Sequence, residues 1–504
     1  MALGRTRAMA LVATTGHLVE VEAHLALSLP AFSLVGLPDA ALSEARDRVR
    51  AAVSSSGLSW PNRRVTVNLT PAALPKSGSS FDLAIAVAVL AGAELLDPVR
   101  AARAVHLGEL GLDGRLRPVR GVLPAVVAAV AAGCPRVVVP AANATEAALV
   151  PQAQVASANS LAEVASWYGA QVTVPPAVTV PVEPITSSRP CDLDLADVLG
   201  QDEARRGLEV AAAGGHHLLM VGPPGVGKTM LAARLPGLLP DLDEAASLEV
   251  TAIHSVAGTF DSAHGLLRRP PFEDPHHTAT PASIIGGGSG VPRPGAASRA
   301  HRGVLMLDEA PEFSSTVLQS LRQPLEHGEL VLHRALGAVR YPARFQLVLA
   351  ANPCPCGRWH GKGLECTCRP EQRRRYFGRL SGPLLDRVDL QLDVPPPRPG
   401  ALPGEPTARV AERVARARAA TAARLAGTGW RVNAEVPAAW LRARLGRQVV
   451  GQLDRALDRG RLSLRGVDRV LRVAWTLADL SGGTVPGPDE VGEAMVLRAR
   501  GEGL

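Results

Sequence analysis

Strand-like and helix-like hydrophobic patterns alternate over about the first 170 residues of the chain. Residues 17–23, 65–69 and 137–139 have the short apolar or alternating pattern of β-strands, whereas residues 40–53 and 81–93 have the spacing of alanine-rich helices. Roughly the last 100 residues are rich in Ala, Arg and Leu at helical spacing, with Gly and Pro mainly between the helical segments. The patterns predict an α/β mixture at the start of the chain and a helical bundle at its end.

Two proline-rich stretches divide the 504 residues. Residues 172–190 contain five prolines, residues 395–408 have a similar composition, and such runs favour extended linkers over packed elements. A chain of this length also exceeds what one hydrophobic core usually serves. The predicted domains are residues 1–171, 191–394 and 409–504.

The amino-acid composition and charge of the chain limit the classes of function that it can have. The excess of Lys and Arg over Asp and Glu gives a net charge of +7, which suggests a polyanionic partner, while 3% aromatic residues argue against extensive stacking on nucleic-acid bases. Six cysteines exclude a disulfide scaffold. No apolar run reaches the roughly 18–20 residues that a membrane span needs, and the first residues make a poor signal peptide. We therefore expect a cytoplasmic protein without a membrane partner.

A glycine-rich segment in the middle of the chain matches the pattern G-x-x-x-x-G-K-[ST] at every position. A buried strand is predicted before it at residues 218–221, and a helix after it from residue 230. Backbone amides in such a loop surround phosphate oxygens, the lysine contacts the β- and γ-phosphates, and the hydroxyl binds Mg²⁺. The predicted ATP- and Mg²⁺-binding residues are Gly222, Pro223, Pro224, Gly225, Val226, Gly227, Lys228 and Thr229.

Two later strands end in polar residues that would complete a nucleotide site. An apolar segment ends at Asp308, predicted to bind Mg²⁺ mostly through water, and at Glu309, predicted to polarise the attacking water. Residues 345–351 form another predicted strand, and Asn352 after it would orient water beside the γ-phosphate. For Arg387, spacing alone leaves two interpretations open: an arginine finger in a neighbouring subunit's site, or one member of a surface ion pair.

Seven segments together resemble the YifB/ComM family, a magnesium-chelatase-like group of AAA+ ATPases, over nearly the whole chain. They are GLPDAALSEARDRVRAA, VNLTPAALPKSGSSFDLAIA, GELGLDGRLRPVRGVLPA, HHLLMVGPPGVGKTMLA, HRGVLMLDEAPEF, ANPCPCG and LSGPLLDRVDL. The resemblance implies a P-loop AAA+ parallel-sheet core with a C-terminal helical lid. It implies that Asn352 is sensor 1, Arg387 the arginine finger, and Arg465 the sensor 2 arginine that reaches the γ-phosphate. Trp475 departs from the family pattern and would change lid packing or subunit coupling.

The resemblance also implies two insertions in the ATPase core, both facing the central channel of a ring that we expect to be a hexamer. Residues 269–299 resemble the first, with a glycine-rich pore loop. The second is a hairpin carrying Arg334 and Arg340, for which a solvated hairpin face is the alternative. Phosphate contacts from both would give salt-dependent binding of single-stranded or branched DNA. Glu273 and Asp274 depart from the family pattern and would weaken such a contact.

The N-terminal domain resembles the proteolytic domain of Lon, which has a ribosomal S5-like α/β fold. Residues 75–80 match the Lon segment that carries the nucleophilic serine, and Ser80 takes that position. Leu123 occupies the position of Lon's catalytic lysine and cannot accept a proton, while Lys76 has a different place in the pattern. We expect a protease-like fold without protease activity.

Four cysteines are clustered shortly after Asn352, namely Cys354, Cys356, Cys366 and Cys368. In a reducing compartment such a cluster favours a structural zinc site over a disulfide, although C-x-C pairs are less typical of zinc than C-x₂-C pairs. Free thiols in a loop are the alternative interpretation.

Two isolated cysteines, a pair of histidines and a run of arginines are the remaining candidate functional residues. Cys134 and Cys191 are isolated and expected to be inert. His276 and His277 have no carboxylate or thiol close to them in a metal-binding spacing, so we do not expect them to bind a metal. A run of arginines that follows the cysteine cluster would present a basic face to DNA, and its members are Arg369, Arg373, Arg374 and Arg375.

The leading interpretation is an ATP-driven, ring-forming motor that acts on DNA, with no small-molecule substrate beyond ATP. The resemblance implies helicase or branch-migration activity during the integration of incoming single strands in natural transformation. ATP would bind between subunits, with Arg387 from the next subunit and Arg465 from the subunit that holds the phosphates. Three alternatives stay open: a magnesium-chelatase motor subunit, which the Lon-like domain argues against; a protein-remodelling ATPase; and an active protease, which Leu123 argues against.

Overall fold

The structure is a computed structural model that describes residues 2–36, 44–76, 78–176, 193–288, 292–334, 337–359, 363–380, 382–397, 400–460 and 462–499. Most of the predicted linker at 172–190, together with Cys191 and the hairpin turn at 335–336, lies outside these residues. The domain boundaries given above therefore stay a prediction. None of the described helices is long and apolar enough to cross a membrane.

The N-terminal part is an α/β unit built on a mixed seven-stranded sheet. Its strands are β1 (Ala2–Val12), β2 (Thr15–Ala26), β3 (Ala31–Val35), β4 (Arg64–Thr70), β5 (Val105–His106), β6 (Glu109–Leu110), β7 (Leu116–Arg117), β8 (Arg136–Pro140) and β9 (Gln154–Ala158). Its helices are α1 (Ala45–Ser55), α2 (Asp82–Gly92), α3 (Pro98–Ala101), α4 (Val122–Ala131), α5 (Ala144–Ala147) and α6 (Leu161–Trp167). The sheet has the order β3-β4-β2-β1-β5-β8-β9, and β6 pairs with β7.

Local sequence explains the core of this unit. Strand β2 buries every second side chain from Val19 to Leu25, because successive side chains of a strand point to opposite faces. Helix α2 is apolar on all sides after Asp82 and is wholly buried, as a central core helix must be. The strands predicted at 17–23, 65–69 and 137–139 lie within β2, β4 and β8.

The central part is built on a parallel sheet. Its strands are β10 (Leu218–Val221), β11 (Phe272–Glu273), β12 (Val304–Leu307), β13 (Glu329–Arg334), β14 (Gly337–Pro342), β15 (Gln346–Ala351) and β16 (Leu390–Asp393). Its helices are α7 (Asp202–Gly214), α8 (Lys228–Ala232), α9 (Leu235–Leu238), α10 (Glu244–Ala257), α11 (Pro281–Ile285), α12 (Ala296–Arg299), α13 (Ser315–Ser320), α14 (Arg322–His327), α15 (Pro370–Gly378) and α16 (Gly382–Leu385).

Five of these strands form the sheet, in the order β11-β12-β15-β10-β16, and each neighbouring pair is parallel. The strands β10, β12 and β15 are buried along their whole length, which explains their unbroken apolar runs. All five strands therefore end at one edge of the sheet, where α/β proteins bind their ligands. Strands β13 and β14 form a separate antiparallel hairpin.

The C-terminal part is a bundle of five described helices, α17 (Thr407–Arg424), α18 (Ala438–Arg442), α19 (Arg447–Asp458), α20 (Leu464–Ser481) and α21 (Pro488–Ala499). Trp475 is buried inside this bundle, with the Arg424 guanidinium 4.7 Å from its ring centroid. The residue that replaces the expected arginine therefore lies in the packed interior of the lid, and its effect on lid packing or subunit coupling stays a prediction. The parallel-sheet core, the helical end and the preceding α/β unit confirm the predicted fold class.

A buried carboxylate joins the N-terminal unit to the central part. Glu146 accepts hydrogen bonds from the amide of Leu123 at 2.9 Å, from Asn143 Nδ2 at 3.3 Å, and from the Ser255 hydroxyl of helix α10. The amide of Gly121 also donates to the carbonyl of Ser255, at 3.3 Å. The start of helix α4 is therefore docked on the end of helix α10.

A second, apolar contact lies at the tip of the β1–β2 hairpin. Val12 and Ala13 pack against Leu332, Val339 and Tyr341 of the β13–β14 hairpin. The N-terminal unit therefore touches the predicted second insertion directly.

Replacing Glu146 tests the polar junction. Burial raises the pKa of Glu146, so the folded chain binds this proton more tightly than the unfolded chain. The contribution of Glu146 to stability is then complete below its unfolded pKa of about 4.3, and is lost as the pH rises through the higher folded pKa. Glu146→Gln keeps an acceptor for Leu123 and Ser255 and should weaken this pH dependence, whereas Glu146→Ala should cost about 1–3 kcal/mol.

The urea unfolding midpoint, followed from pH 4 to pH 8 for the wild type and both variants, checks this expectation. The exposed Glu94→Gln is the control and should follow the wild type. Parallel pH profiles for the wild type and Glu146→Gln would contradict the assignment.

Candidate nucleotide-binding site

The phosphate loop has the predicted geometry. Strand β10 ends at Val221, and helix α8 begins at Lys228. Gly225 and Gly227 have φ values of +78° and +92°, a left-handed backbone that glycine adopts without steric cost. The loop therefore turns from strand to helix within a few residues and leaves the start of α8 pointing at the space above the sheet edge.

Lys228 is held inside the loop. Its Nζ donates to the carbonyls of Gly222 at 2.7 Å and Pro223 at 2.9 Å, and to Asn352 Oδ1 at 3.1 Å. Burial lowers the pKa of Lys228, while the negative charges of Asp308 and Glu309 oppose that shift. The structure thus brings the predicted sensor asparagine and the predicted phosphate-binding lysine into contact.

Thr229 and Asp308, the two residues predicted to bind Mg²⁺, are hydrogen-bonded to each other. The Thr229 hydroxyl donates to Asp308 Oδ2 at 2.6 Å, and Asp308 Oδ1 accepts from the amide of Glu309 at 2.8 Å. A hydroxyl and a carboxylate side by side next to a phosphate loop suit Mg²⁺, which keeps several waters and takes few protein oxygens. These two residues would hold the ion.

Glu309 has a partner that the sequence did not indicate. The Glu309 backbone is left-handed, with φ +50°, and its carboxylate lies 3.2 Å from Nδ1 of His277. His277 belongs to the first predicted insertion and stacks on His276 at 4.1 Å between ring centroids. No metal-ligand cluster of the described residues includes either histidine. The insertion therefore contacts the predicted catalytic carboxylate itself.

Glu273 and Asp274 are the two acidic residues of this insertion that depart from the family pattern, and both lie against the ATPase core. Glu273 lies on β11, which pairs with β12, and it binds Arg299 through both carboxylate oxygens at 3.0 and 2.7 Å. Burial, with the negative charges of Glu273 and Asp308, raises the pKa of Asp274. Both residues thus lie beside the Asp308 strand, and their effect on DNA contact stays a prediction.

Arg387 and Arg465 lie together at the other end of the sheet. Arg387 precedes β16, and two residues later the amide of Asp389 donates to the carbonyl of His217, just before β10, so this loop is at the amino edge of the strands. Arg387 pairs with Glu326, and Arg465, whose side chain is 74% exposed, pairs with Asp386. The family resemblance implies that Arg465 reaches its own subunit's phosphate loop, but within one chain it lies beside Arg387 instead.

Several guanidinium groups lie close together there, although Arg387, Arg465 and Arg469 each pair with a carboxylate. Burial and the charges of Arg469, Arg322 and Arg465 lower the pKa of Arg387. Such a concentration of guanidinium groups is suited to an anion supplied by another molecule.

The hairpin arginines are only partly described. Arg340 pairs with Glu329 across β13 and β14 at 2.6 Å, with the Arg340 side chain exposed and Glu329 half-buried. This surface pair favours the solvated-face alternative for Arg340. The side chain of Arg334 lies outside the described part of the chain.

The cysteine cluster and the arginines after it are close to the site. The four Sγ atoms of the cluster lie within 4.8 Å of one another. Arg369, Arg374 and Arg375 are exposed around helix α15, and Arg373 stacks its guanidinium 3.6 Å from the centroid of Trp359. Cys134 is far from the cysteine cluster in the sequence. It is buried in the N-terminal core, where Arg7 donates to its sulfur.

The N-terminal protease-like positions show no assembled dyad. Leu123 is buried and its amide binds Glu146, while Ser80 is half-buried and its carbonyl accepts from the amide of Gly108 at 3.1 Å. Lys76 donates to the carbonyl of Pro71, and burial lowers its pKa.

Removing the loop lysine tests the site. Lys228→Ala should weaken binding of a fluorescent ATP analogue about 10–100-fold, because charge-assisted hydrogen bonds contribute roughly 1.5–3 kcal/mol each. The exposed lid residue Arg459→Ala is the control and should bind like the wild type. Equal affinity in Lys228→Ala, with an unchanged circular dichroism spectrum, would contradict the assignment.

Comparison with known proteins agrees with this architecture. Residues 194–402 match the family model for magnesium chelatase, subunit ChlI, residues 21–143 match that for subunit ChlI of Mg-chelatase, and residues 404–498 match its C-terminal model. The chain is 53% identical to the protein Rv2897c of Mycobacterium tuberculosis, over 99% of both chains.

Two further relatives carry family names. The chain is 41% identical to the protein YifB of Escherichia coli, over 95% of this chain and 94% of that protein. It is 40% identical to the competence protein ComM of Haemophilus influenzae, over 99% of this chain and 98% of that protein. The phosphate loop, the parallel sheet, the helical end and these matches together show that the chain belongs to the YifB/ComM family of magnesium-chelatase-like AAA+ proteins.

Proposed function

We propose that this chain is an ATP-hydrolysing motor that assembles into a ring, expected to be a hexamer, and moves along or remodels DNA. The observation that carries the ATPase proposal is the convergence of Lys228, Thr229, Asp308 and Asn352 at one edge of a parallel sheet. ATP chemistry is also in keeping with membership of an AAA+ family. The choice of DNA as the substrate is supported by the charge of the chain and by its family.

Each residue of the site has a proposed part in hydrolysis. Lys228 exchanges its loop carbonyls for β- and γ-phosphate oxygens, and Asn352, already bonded to Lys228, orients the attacking water. Glu309 polarises that water once its carboxylate is free of His277. Bound Mg²⁺, held by Thr229 and Asp308, would neutralise charge on the phosphates.

In the part of the chain that the structure describes, Arg387 and Arg465 pair with other side chains away from the phosphate loop. Arg387 and Arg465 lie at the amino edge of the sheet, whereas the phosphate loop lies at the carboxyl edge. Transition-state charge on the γ-phosphate calls for a cationic group, and a neighbouring subunit could supply one. We propose that both arginines act on the next subunit's nucleotide, which modifies the sequence-based expectation for Arg465.

DNA is the proposed substrate for three reasons. The chain carries a net charge of +7, exposed arginines lie on helix α15 and directly before it, and a relative at 40% identity is a competence protein. The family resemblance described above implies branch migration during integration of incoming single strands, and this is the activity that we propose. The N-terminal unit would serve assembly or coupling and not proteolysis, since Leu123 has no basic group.

Hydrolysis of ATP by the purified chain, with and without single-stranded and branched DNA, tests the substrate. We expect DNA to stimulate hydrolysis and the stimulation to fade as salt rises from 50 to 200 mM, because phosphate contacts release counterions. Lys228→Ala should remove both basal and stimulated activity. Hydrolysis that ignores every DNA tested, in intact rings, would move the proposal to protein remodelling or chelation.

Mixing two inactive variants tests the shared site. Lys228→Ala lacks the loop lysine but keeps both arginines, whereas Arg465→Ala keeps the loop lysine. If Arg465 acts on the neighbouring subunit, mixed rings contain some intact sites and regain part of the ATPase activity that either variant alone lacks. Arg387→Ala should complement Lys228→Ala in the same way.

A further mixture serves as the control. Arg387→Ala mixed with Arg465→Ala should stay inactive if both arginines reach the same site from one subunit and each is essential to it. Complementation by Arg387→Ala but not by Arg465→Ala would return Arg465 to its own subunit's nucleotide.

A further inference from the structure

The four clustered cysteines have the spacing of metal ligands. Cys354 Sγ lies 3.3 Å from Cys356 Sγ and 3.7 Å from Cys366 Sγ, and the last two sulfurs are 3.7 Å apart. All four Sγ atoms, including that of Cys368, lie within 4.8 Å of one another. A tetrahedral zinc ion with Zn–S bonds of about 2.3 Å separates its sulfur ligands by about 3.8 Å. The cysteines are free thiols, so a disulfide does not explain their proximity.

The first half of this cluster is continuous with the nucleotide site. Strand β15 is followed by Asn352, which binds Lys228, and two residues later by the buried Cys354. Gly357 then packs on the phosphate loop, where a Cβ on it would lie 2.6 Å from Cδ of Pro224. The cysteine loop therefore supports both the predicted sensor and the loop that surrounds the phosphates.

The second half leads into helix α15. Arg373 donates to the carbonyl of Cys368 at 3.2 Å and stacks on Trp359, which lies between the two cysteine pairs in the sequence. Thiol contacts are weak hydrogen bonds, and they are a poor means of closing a loop against its conformational entropy. A metal bonded to all four sulfurs would close it, because metal binding to such a set contributes directly to folding.

We propose that Cys354, Cys356, Cys366 and Cys368 bind one structural Zn²⁺ as thiolates, and that this ion holds the cysteine loop against the phosphate loop so that nucleotide affinity depends on it. The coupling rests on the proposed function for the identity of the nucleotide site. The metal site itself does not, since its occupancy is measured without ATP or DNA.

The zinc content of the full chain tests the metal site. It is measured by plasma mass spectrometry, and also by release of the metal with a mercurial in the presence of a zinc-binding dye. We expect about one zinc per chain in the wild type and in Cys134→Ser, whose cysteine lies outside the cluster. The double variant Cys366→Ser, Cys368→Ser should lose the zinc and bind a fluorescent ATP analogue severalfold more weakly. Circular dichroism and the oligomeric state would show whether that variant remains folded.

A second variant separates the coupling from metal-dependent folding. Gly357→Ala keeps all four thiols, but its Cβ collides with Pro224 and its backbone φ is +75°. It should retain its zinc and still bind nucleotide severalfold more weakly. Gly378→Ala, whose Cβ would meet nothing within 4 Å, is the matched control and should behave like the wild type.

Each outcome decides one part of the proposal. Wild-type protein without zinc, whether purified from zinc-supplemented growth or reconstituted with Zn²⁺, would overturn the metal site. Full zinc content with unchanged nucleotide affinity in Gly357→Ala and in the cysteine double variant would overturn the coupling. Zinc-loaded wild type that binds no nucleotide at all would instead overturn the proposed ATPase function and leave the metal site standing.

Discussion

The buried carboxylate of Asp389 determines how the helical lid is attached to the ATPase sheet. It accepts from His216 Nδ1 and from Arg469 Nη1, each at 2.8 Å, and so joins strands β10 and β16 to helix α20. Burial alone would raise the pKa of Asp389, but His216 and Arg469 outweigh it and hold that pKa well below its usual range. Losing one partner of such a buried pair typically costs 3–5 kcal/mol, since the other charge stays buried. Arg469 also donates to the carbonyl of Arg387 at 3.0 Å, so the same contact orients the predicted finger.

This attachment also determines where the lid lies relative to the two edges of the parallel sheet. It fixes the lid behind the amino ends of the strands, while the phosphate loop opens at their carboxyl ends. The network continues inside the lid, because His216 also bonds Thr476, which accepts from Asn433, and Asn433 in turn binds Asp479. A lid secured by this many buried polar contacts cannot swing over its own nucleotide without breaking them. The lid contact and the phosphate loop of one chain therefore lie at opposite edges of the parallel sheet.

Sequence reasoning succeeded where the signal is local. The strand Leu218–Val221, the glycine turn and the polar residues after β12 and β15 follow from a motif and from apolar runs, and parallel topology alone brings them to one edge. It failed where the signal is a distant pairing. His277 reaches Glu309, Glu146 reaches Ser255, and Arg465 reaches Asp386 across stretches of chain whose path depends on packing, so spacing gave no indication of these contacts. A neighbouring carboxylate for His277 could be anticipated only by recognising β11 as the edge strand beside β12.

The N-terminal unit meets the central part through contacts of different kinds, and Leu248 and Leu266 also pack against its buried residues. The Glu146 junction is buried and hydrogen-bonded, whereas the tip of the β1–β2 hairpin makes only a small apolar contact with the β13–β14 hairpin. A displacement of the inserted hairpin would press on the tip of β1, and this strand, about 35 Å long at its usual rise, would carry the displacement into the seven-stranded sheet.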